Sequence, residues 1–241
     1  MKNFSAFIGY DYRWPLSYAV TIRSLMARST LDFPITPLLL PHLQATGVYD
    51  RPMHITNNQM HDRISDAPMA TEFAISRFFI PHLSGRKGWS LFCDSDFLFR
   101  ADVDGLVDQI DSSKAVMCVK HQYAPLEKEK MGGQLQTLYA RKNWSSLMLI
   151  NNEHPKNHVL EPGLLNAVPG RDLHAFSWLE DSDIGELGPE WNWLEGHSDP
   201  AIDAKAVHYT RGTPEMPDMG LLPYESEWHA VAAQINLCKV A

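Results

Sequence analysis

An apolar run, Leu91-Phe92-Cys93, stops at Asp94-Ser95-Asp96 and resumes at once as Phe97-Leu98-Phe99. Two carboxylates one residue apart, framed by hydrophobic residues on both sides, do not make a solvated face. The frame predicts a buried strand that delivers both acids to one rim of a sheet. There they can share a divalent cation, because magnesium and manganese take hard oxygen ligands and are commonly held by one or two protein carboxylates plus substrate phosphates. The competing reading is a turn whose aspartates cap the backbone. On the motif and its frame alone, both stay open.

A buried strand needs a sheet, and 241 residues with 44% apolar content can build one domain with a substantial core. The net charge is −8 and no Lys/Arg cluster stands out, which argues against nucleic acid as a partner. An anionic small molecule would need a local remedy for that charge, and a metal ion is the obvious one. Cys93, Cys118 and Cys238 are widely separated and form neither a zinc signature nor a disulfide framework. No apolar run approaches the ~20 residues that span a bilayer. The expectation is a cytoplasmic protein with no transmembrane segment.

Taken in order, Phe4–Gly9 reads as a first strand and Pro15–Arg28 as a helix with proline in its first turn. Ile35 to Leu40 reads as a second strand pinned near an edge by prolines. In open α/β sheets ligands gather at the carboxyl ends of such strands, which makes Tyr10 and Asp11 candidate contacts. Residues 46–68 read as irregular surface loop, and 69–83 show helical periodicity with Arg77 among apolar neighbours. Arg77 either packs its stem while its head reaches water, or aims a cation at a phosphate. A short helix from Asp102, a strand at 115–119, a charged insertion at 122–139 with a Gly-Gly break, and a strand at 146–151 follow. Short helices, a brief strand at 206–210 and a closing amphipathic helix from Glu225 complete one α/β domain. Residues 122–139 and 211–220 are candidate closing loops.

Two carboxylates leave a cation short of protein ligands. His208, at the end of a short apolar strand, is the best third ligand, since imidazole suits manganese beside carboxylates. Arg211 could add charge there, and Gly212 would let backbone amides approach a diphosphate. Trp191-Asn192-Trp193, with Trp178, Glu180, Asp181 and Asp183, resembles the aromatic, amide and acid mixture of sugar sites; the alternative is core tryptophan and helix-end acids. No Gly-x-x-x-x-Gly-Lys-Ser/Thr loop, Gly-x-Gly-x-x-Gly fingerprint or Gly-x-Ser-x-Gly elbow is present.

Five segments, in order, match one pattern: Ile8-Gly9-Tyr10-Asp11, Ser76-Arg77-Phe78-Phe79-Ile80-Pro81, Phe92-Cys93-Asp94-Ser95-Asp96, Met148-Leu149-Ile150-Asn151 and His208-Tyr209-Thr210-Arg211-Gly212-Thr213-Pro214. Over most of its length the chain resembles the GT-A glycosyltransferases, especially the glycogenin-like nucleotide-sugar transferases of family eight. The resemblance implies a Rossmann-like mixed sheet flanked by helices, with a nucleotide-sugar-binding half over about residues 1–120 and an acceptor-side half over about 121–241. It implies transfer of a sugar, a hexose by that resemblance, from a nucleotide-sugar donor such as a UDP-sugar to a carbohydrate or glycoconjugate acceptor. Asp94, Asp96 and His208 would hold Mn2+ or Mg2+. Tyr10, Asp11, Arg77, Ser95, Arg211 and Gly212 would contact the donor, while Glu180, Trp191, Asn192 and Trp193 would meet the sugar or acceptor. Asp181 or Asp183 would serve as base if the reaction inverts. The chain departs from the pattern at Trp144-Ser145-Ser146, where the group shows Asn-x-Gly, and at residues 180–183, where it shows Asp-Gln. The rival readings are a haloacid-dehalogenase-type phosphohydrolase with Asp94 as nucleophile, and a non-catalytic carbohydrate-binding protein on the same fold.

Overall fold

The computed structural model describes residues 3–57, 59–122, 129–130, 134–135 and 141–235. Strand β1 (Phe4–Gly9), helix α1 (Pro15–Arg28) and strand β2 (Ile35–Leu38) open the chain as its sequence predicts. After α2 (Leu40–Ala45), strands β3 (Met53–Thr56), β4 (Gln59–Asp62) and β5 (Ala67–Met69) form an antiparallel meander. The meander replaces the irregular loop expected over 46–68. Its buried positions include Gln59 and Asp62, so the apolar alternation that marks a half-buried strand is missing. Arg51 permits this burial. Its guanidinium pairs with both oxygens of Asp62, donates to the carbonyls of Leu165 (2.5 Å) and Val168 (2.8 Å), and is buried with its partner. Burial alone would raise the Asp62 carboxyl, but hydrogen bonds from Arg51 and Ser65 outweigh it and hold it below its ordinary value.

Residues 69–83 are not one helix. A turn, a 3-10 segment (Ser76–Phe79) and the short helix α3 (Ile80–Leu83) follow each other. Phe73, Ile75, Phe78, Phe79 and Ile80 are all buried, so the segment has no single apolar face to orient a regular helix. Arg77 Nε also takes the Phe73 carbonyl (3.1 Å), the acceptor its own amide would use in an α-helix.

Next come β6 (Trp89–Cys93), β7 (Phe97–Phe99), α4 (Asp104–Val107) and β8 (Val116–Cys118). Of the insertion expected at 122–139, the described parts from Glu129 on are the paired strands β9 (Glu129–Lys130) and β10 (Gln134–Leu135), and the rest of that stretch lies outside the described residues save Gln122. Strand β11 (Leu147–Asn151), helices α5 (Pro162–Leu165) and α6 (Gly170–His174), strands β12 (Ile184–Glu186), β13 (Trp193–Leu194) and β14 (Ala206–His208), and helix α7 (Glu225–Ala232) complete the order.

The central sheet runs β12-β8-β11-β6-β1-β2. Strands β2, β1 and β6 are parallel, β11 is antiparallel to both β6 and β8, and β12 runs parallel to β8. Proline-containing β2 occupies an edge, where a missing donor is tolerated. A second sheet, β13-β14-β7, continues from the end of β6. The aromatic and aliphatic residues divide into three buried clusters, two on the central sheet and one around β14, α1 and α7. Gly9 ends β1 under the Phe73 ring, where a Cβ would stand 2.4 Å from Cγ.

Candidate active site

Strand β6 is buried along its whole length and ends at Cys93. The next three residues turn the chain into β7, leaving Asp94 and Asp96 at the carboxyl rim of the parallel strands. Side chains from α1 hold this turn. Thr21 Oγ1 donates to the Ser95 carbonyl (2.9 Å) and accepts from the Phe97 amide (3.1 Å), while Ser24 Oγ accepts from the Phe99 amide (3.1 Å). The Asp94 amide bonds the Ser146 carbonyl (2.9 Å), and the Asp96 carbonyl takes the Tyr209 amide (3.0 Å). The turn is therefore part of the core lattice rather than a surface cap.

Strand β14 lies against β7 with His208 opposite Phe97, and the two rings stack at 4.4 Å. One ligand atom each from Asp94, Asp96 and His208 lies within 4.8 Å of the others. His208 Nδ1 bonds Asn192 Oδ1 (3.0 Å), and Nε2 stands 3.3 Å from Asp96 Oδ1. An imidazole whose Nδ1 donates to a neighbour presents Nε2 as a lone pair, the usual arrangement of a metal-bound histidine. Asn192 is fixed in turn by its bond to Ser146 Oγ (2.9 Å). Two carboxylates and one such imidazole fit a hard divalent cation. Half-buried His121 is pushed down to about 3 by burial first and then by His208, so it stays neutral.

Contrary to one of the two sequence readings, the Arg77 head does not reach water. It is buried, and the same nitrogen, Nη1, lies 2.7 Å from Asp94 Oδ1 and 2.8 Å from the Ser145 carbonyl. Its guanidinium lies over the Phe92 ring at 4.7 Å. Arg77 thus orients Asp94, and it also lines the cavity beside the cluster. That cavity holds about 280 Å³ and is walled by the β4–β5 turn, residues 69–77, Lys142 to Ser146, α6 and Thr210.

No family model matches the chain. Protein CDI of Arabidopsis thaliana is 46% identical over 218 residues, which cover 88% of this chain and 80% of that protein. The chain belongs to the family of Protein CDI. Among solved structures, the bifunctional glycosyltransferase WbbM aligns with a TM-score of 0.63 at 15% identity, over 97% of this chain and 50% of WbbM. GlyE of Streptococcus pneumoniae gives 0.61 at 12%, over 97% and 62%. An active-site mutant of LgtC gives 0.59 at 12%, over 96% of each chain. The chain therefore spans half of WbbM and less than two thirds of GlyE. This CDI relative has the GT-A fold, a central mixed sheet flanked by helices, as its resemblance to family eight implies.

The other residues singled out from the sequence of this CDI-family chain scatter. Asp11 is fully buried, bound by Arg13 Nε (2.8 Å) and Nη2 (2.6 Å) and by the Glu72 amide (3.2 Å), which makes it a clamp on the turn after β1. Tyr10 packs edge-on against Tyr18 at 5.0 Å. Ser95 is buried within the cluster turn. Arg211 is paired with Glu195 through Nε (2.9 Å) and Nη2. The Gly212 amide closes a turn onto the Tyr209 carbonyl (3.1 Å), and at its φ of +153° a Cβ would meet Met219 Sδ at 2.7 Å.

Trp191 and Trp193 are core residues, 0% and 4% exposed, so neither presents a ring to a sugar. Trp178 packs against Phe78 and Phe176. Glu180 and Asp183 form a capping box. Asp183 also pairs with Lys156 (2.5 Å), and the exposed Asp181 with Arg141 (2.6 Å). This turn leads into the start of β12, level with Ala115 and Asn151. Asn151 faces Trp89 at the beginning of β6. About five residues of strand, roughly 16 Å at the usual rise, separate that edge from Asp94. The structure does not bring Glu180, Asp181 or Asp183 to the cavity.

Sequence reasoning passed over Lys142, which is 5% exposed and lines the cavity; it reads a short helix from Leu173, whereas α6 starts at Gly170 and brings Gly170, Arg171 and His174 to the cavity. The local signal for the start of α6 is the Pro169-Gly170 step.

Proposed function

We propose that the chain is a divalent-metal-dependent glycosyltransferase that moves a hexose from a nucleoside-diphosphate sugar, a UDP-sugar by family resemblance, to a carbohydrate or glycoconjugate acceptor. The observation that carries this reading is the Asp94–Asp96–His208 cluster, at the carboxyl rim of a GT-A sheet and opening on a cavity. Those three residues would hold Mn2+ or Mg2+, which when bound neutralises charge on the departing diphosphate. Two carboxylates and a dication sum to neutrality. Arg77 and Lys142 line the same cavity and would add positive charge where a sugar-linked diphosphate binds. Tyr10 and Asp11, at the end of β1, would meet the base and ribose, as the family resemblance implies. Ser95, Arg211 and Gly212 would contact the donor by the same resemblance.

In the reaction the bond between the anomeric carbon and the phosphate oxygen breaks, and a bond to the acceptor oxygen forms. The electron pair leaves with the diphosphate, where preorganised charge stabilises most, and the acceptor hydroxyl gives up its proton to that departing diphosphate. The chain's own residues orient Asp94 through Arg77 and fix the His208 tautomer through Asn192. Free, buried Cys93 and Cys118 support a reducing compartment such as the cytoplasm, and among the described residues no helix is long and apolar enough to cross a membrane. The phosphohydrolase and binding-only readings draw no support from the fold neighbours.

A thermal-shift panel of nucleoside diphosphates and their sugars, with and without Mn2+, tests the proposal. Mn2+-dependent stabilisation by one nucleotide, lost in Asp94→Ala and Asp96→Ala, supports it. A flat panel refutes it, and slow hydrolysis of the donor separates an enzyme from a binding protein.

A further inference from the structure

Helix α1 carries a buried polar stripe. Ser17, Thr21 and Ser24 fall at i, i+4 and i+7, the spacing of one helix face, and each is at most 1% exposed. Two of the three hold the turn that bears Asp94 and Asp96, through the Ser95 carbonyl and the Phe97 and Phe99 amides. Ser17 reaches the other side of the site. Its amide (3.1 Å) and its hydroxyl both donate to Glu215 Oε1, and Ser17 Oγ lies 2.8 Å from the buried Thr213 Oγ1. Glu215 thereby fills a gap that α1 leaves open. This 14-residue helix has no acid in its first turn, and Trp14 at its N-cap makes no side-chain cap bond. Ser17 is the third helical residue, where an amide commonly takes its partner from a capping side chain. A carboxylate 198 positions away takes that role, and the positive end of the helix favours it.

We propose that Glu215 is a positioning residue for the cation site: its bonds to α1 close a clasp that holds the chain leaving His208 against the Asp94–Asp96 turn. The proposal rests on the cation-binding part of the function proposed above. The three ligand atoms come from two places in the fold, the turn after β6 and the end of β14. They stand within 4.8 Å of one another, and a cation has to draw them to the ~2–2.2 Å bonds of Mg2+ or its like. Helix α1 grips the first place through Thr21 and Ser24 and the second through Ser17, with the Tyr209 amide on the Asp96 carbonyl (3.0 Å) between them. Fixing the two backbones beforehand removes part of the ordering cost from binding. Such coupling is reciprocal: if the closed clasp raises cation affinity, a bound cation closes the clasp by the same factor. The Ser17 amide reports this directly, because its hydrogen is one that Glu215 accepts.

The test pairs Mn2+ calorimetry on wild type, Glu215→Ala and Glu215→Gln with amide hydrogen exchange at Ser17, with and without saturating Mn2+. Glu215→Ala should raise the Mn2+ dissociation constant about threefold to thirtyfold, the range for a residue that couples to a site without touching its ligand. Glu215→Gln, whose amide oxygen still accepts from Ser17, should recover most of that loss. In the wild type Mn2+ should slow Ser17 exchange by a similar factor, and in Glu215→Ala by less than twofold. A Glu215→Ala dissociation constant within twofold of wild type overturns the clasp. Ser17 exchange that ignores Mn2+ in the wild type also overturns it and would leave Glu215 a plain helix cap. That measurement needs no variant, so it decides even where Glu215→Ala does not fold. If the wild type binds no Mn2+, the cation site falls and the clasp with it, a result distinct from an unaltered affinity in the variant.

Discussion

Asn192 touches no ligand atom directly, yet it controls one. It is fully buried, accepts from His208 Nδ1 at 3.0 Å and donates to Ser146 Oγ at 2.9 Å. Asn192→Ala removes both bonds and a longer one to the Asn143 carbonyl (3.4 Å). Ser146 Oγ keeps its bond to the Asn143 carbonyl (2.7 Å), so the one stranded group is the His208 Nδ1 donor, itself 0% exposed. Leaving such a donor without a partner costs about 1–3 kcal/mol. The metal effect is separate: with its tautomer no longer fixed, the ring offers Nε2 as a lone pair only part of the time. Loss of such a supporting bond weakens metal affinity about 10–100-fold, or about 1.4–2.8 kcal/mol. Mn2+ calorimetry on wild type, Asn192→Ala and His208→Ala, alongside urea unfolding without metal, measures both. The expected order of Mn2+ affinity is wild type, then Asn192→Ala, then His208→Ala. An Asn192→Ala affinity within twofold of wild type would refute the idea that this bond sets the ring.

The buried Arg51–Asp62 pair should show in stability rather than in activity. Arg51→Met strands a buried carboxylate and should cost about 3–5 kcal/mol in urea unfolding, while Arg51→Met with Asp62→Leu should recover most of it; a single-variant loss under 1 kcal/mol would contradict the packing described. Because Asp62 is held below its ordinary value of about 4, its contribution is complete above that value and is lost as pH falls through the folded one. Wild type should therefore lose more stability between neutral pH and pH 3 than Asp62→Asn does. Gly9→Ala places a methyl group into the Phe73 ring and should cost about 1–3 kcal/mol by denaturation; a wild-type midpoint would mean the strand end shifts freely. Asp181→Asn and Asp183→Asn remove surface ion pairs, which contribute little to stability, and should leave the transfer rate unchanged; a hundredfold fall in kcat would return that turn to the chemistry.

Strong local contrast made some of this site legible. Asp94 and Asp96 interrupt a continuous apolar run, and His208 ends one, so residue order alone puts each at a strand terminus. Proline marked β2 as an edge in the same way. Reading failed where burial was achieved with polar groups. The meander hides Gln59 and Asp62 inside, and the pattern that normally announces a strand is replaced by a charge pair whose partner, Arg51, lies 11 residues away. Tryptophan-rich residues 191–193 invited a sugar-binding reading, but aromatic rings serve cores and ligands alike, and only tertiary packing separates the two. Arg77 shows a third limit: the sequence marked a buried cation, while its anion, Asp94, belongs to another element.

The reversed direction of β11 has a consequence for how such a site can diversify. Strands that run towards the rim can change the site only through the residues on their carboxyl side. Since β11 runs away from it, the residues that precede this strand, Arg141 to Ser146, reach the same rim as Asp94. A change of composition within Lys142 to Ser146 is thus delivered to the cavity's edge while the hydrogen-bonded ladder downstream stays fixed. A lineage can insert, delete or rewrite that approach and alter which molecules are admitted, with the cation's ligands and the sheet left untouched.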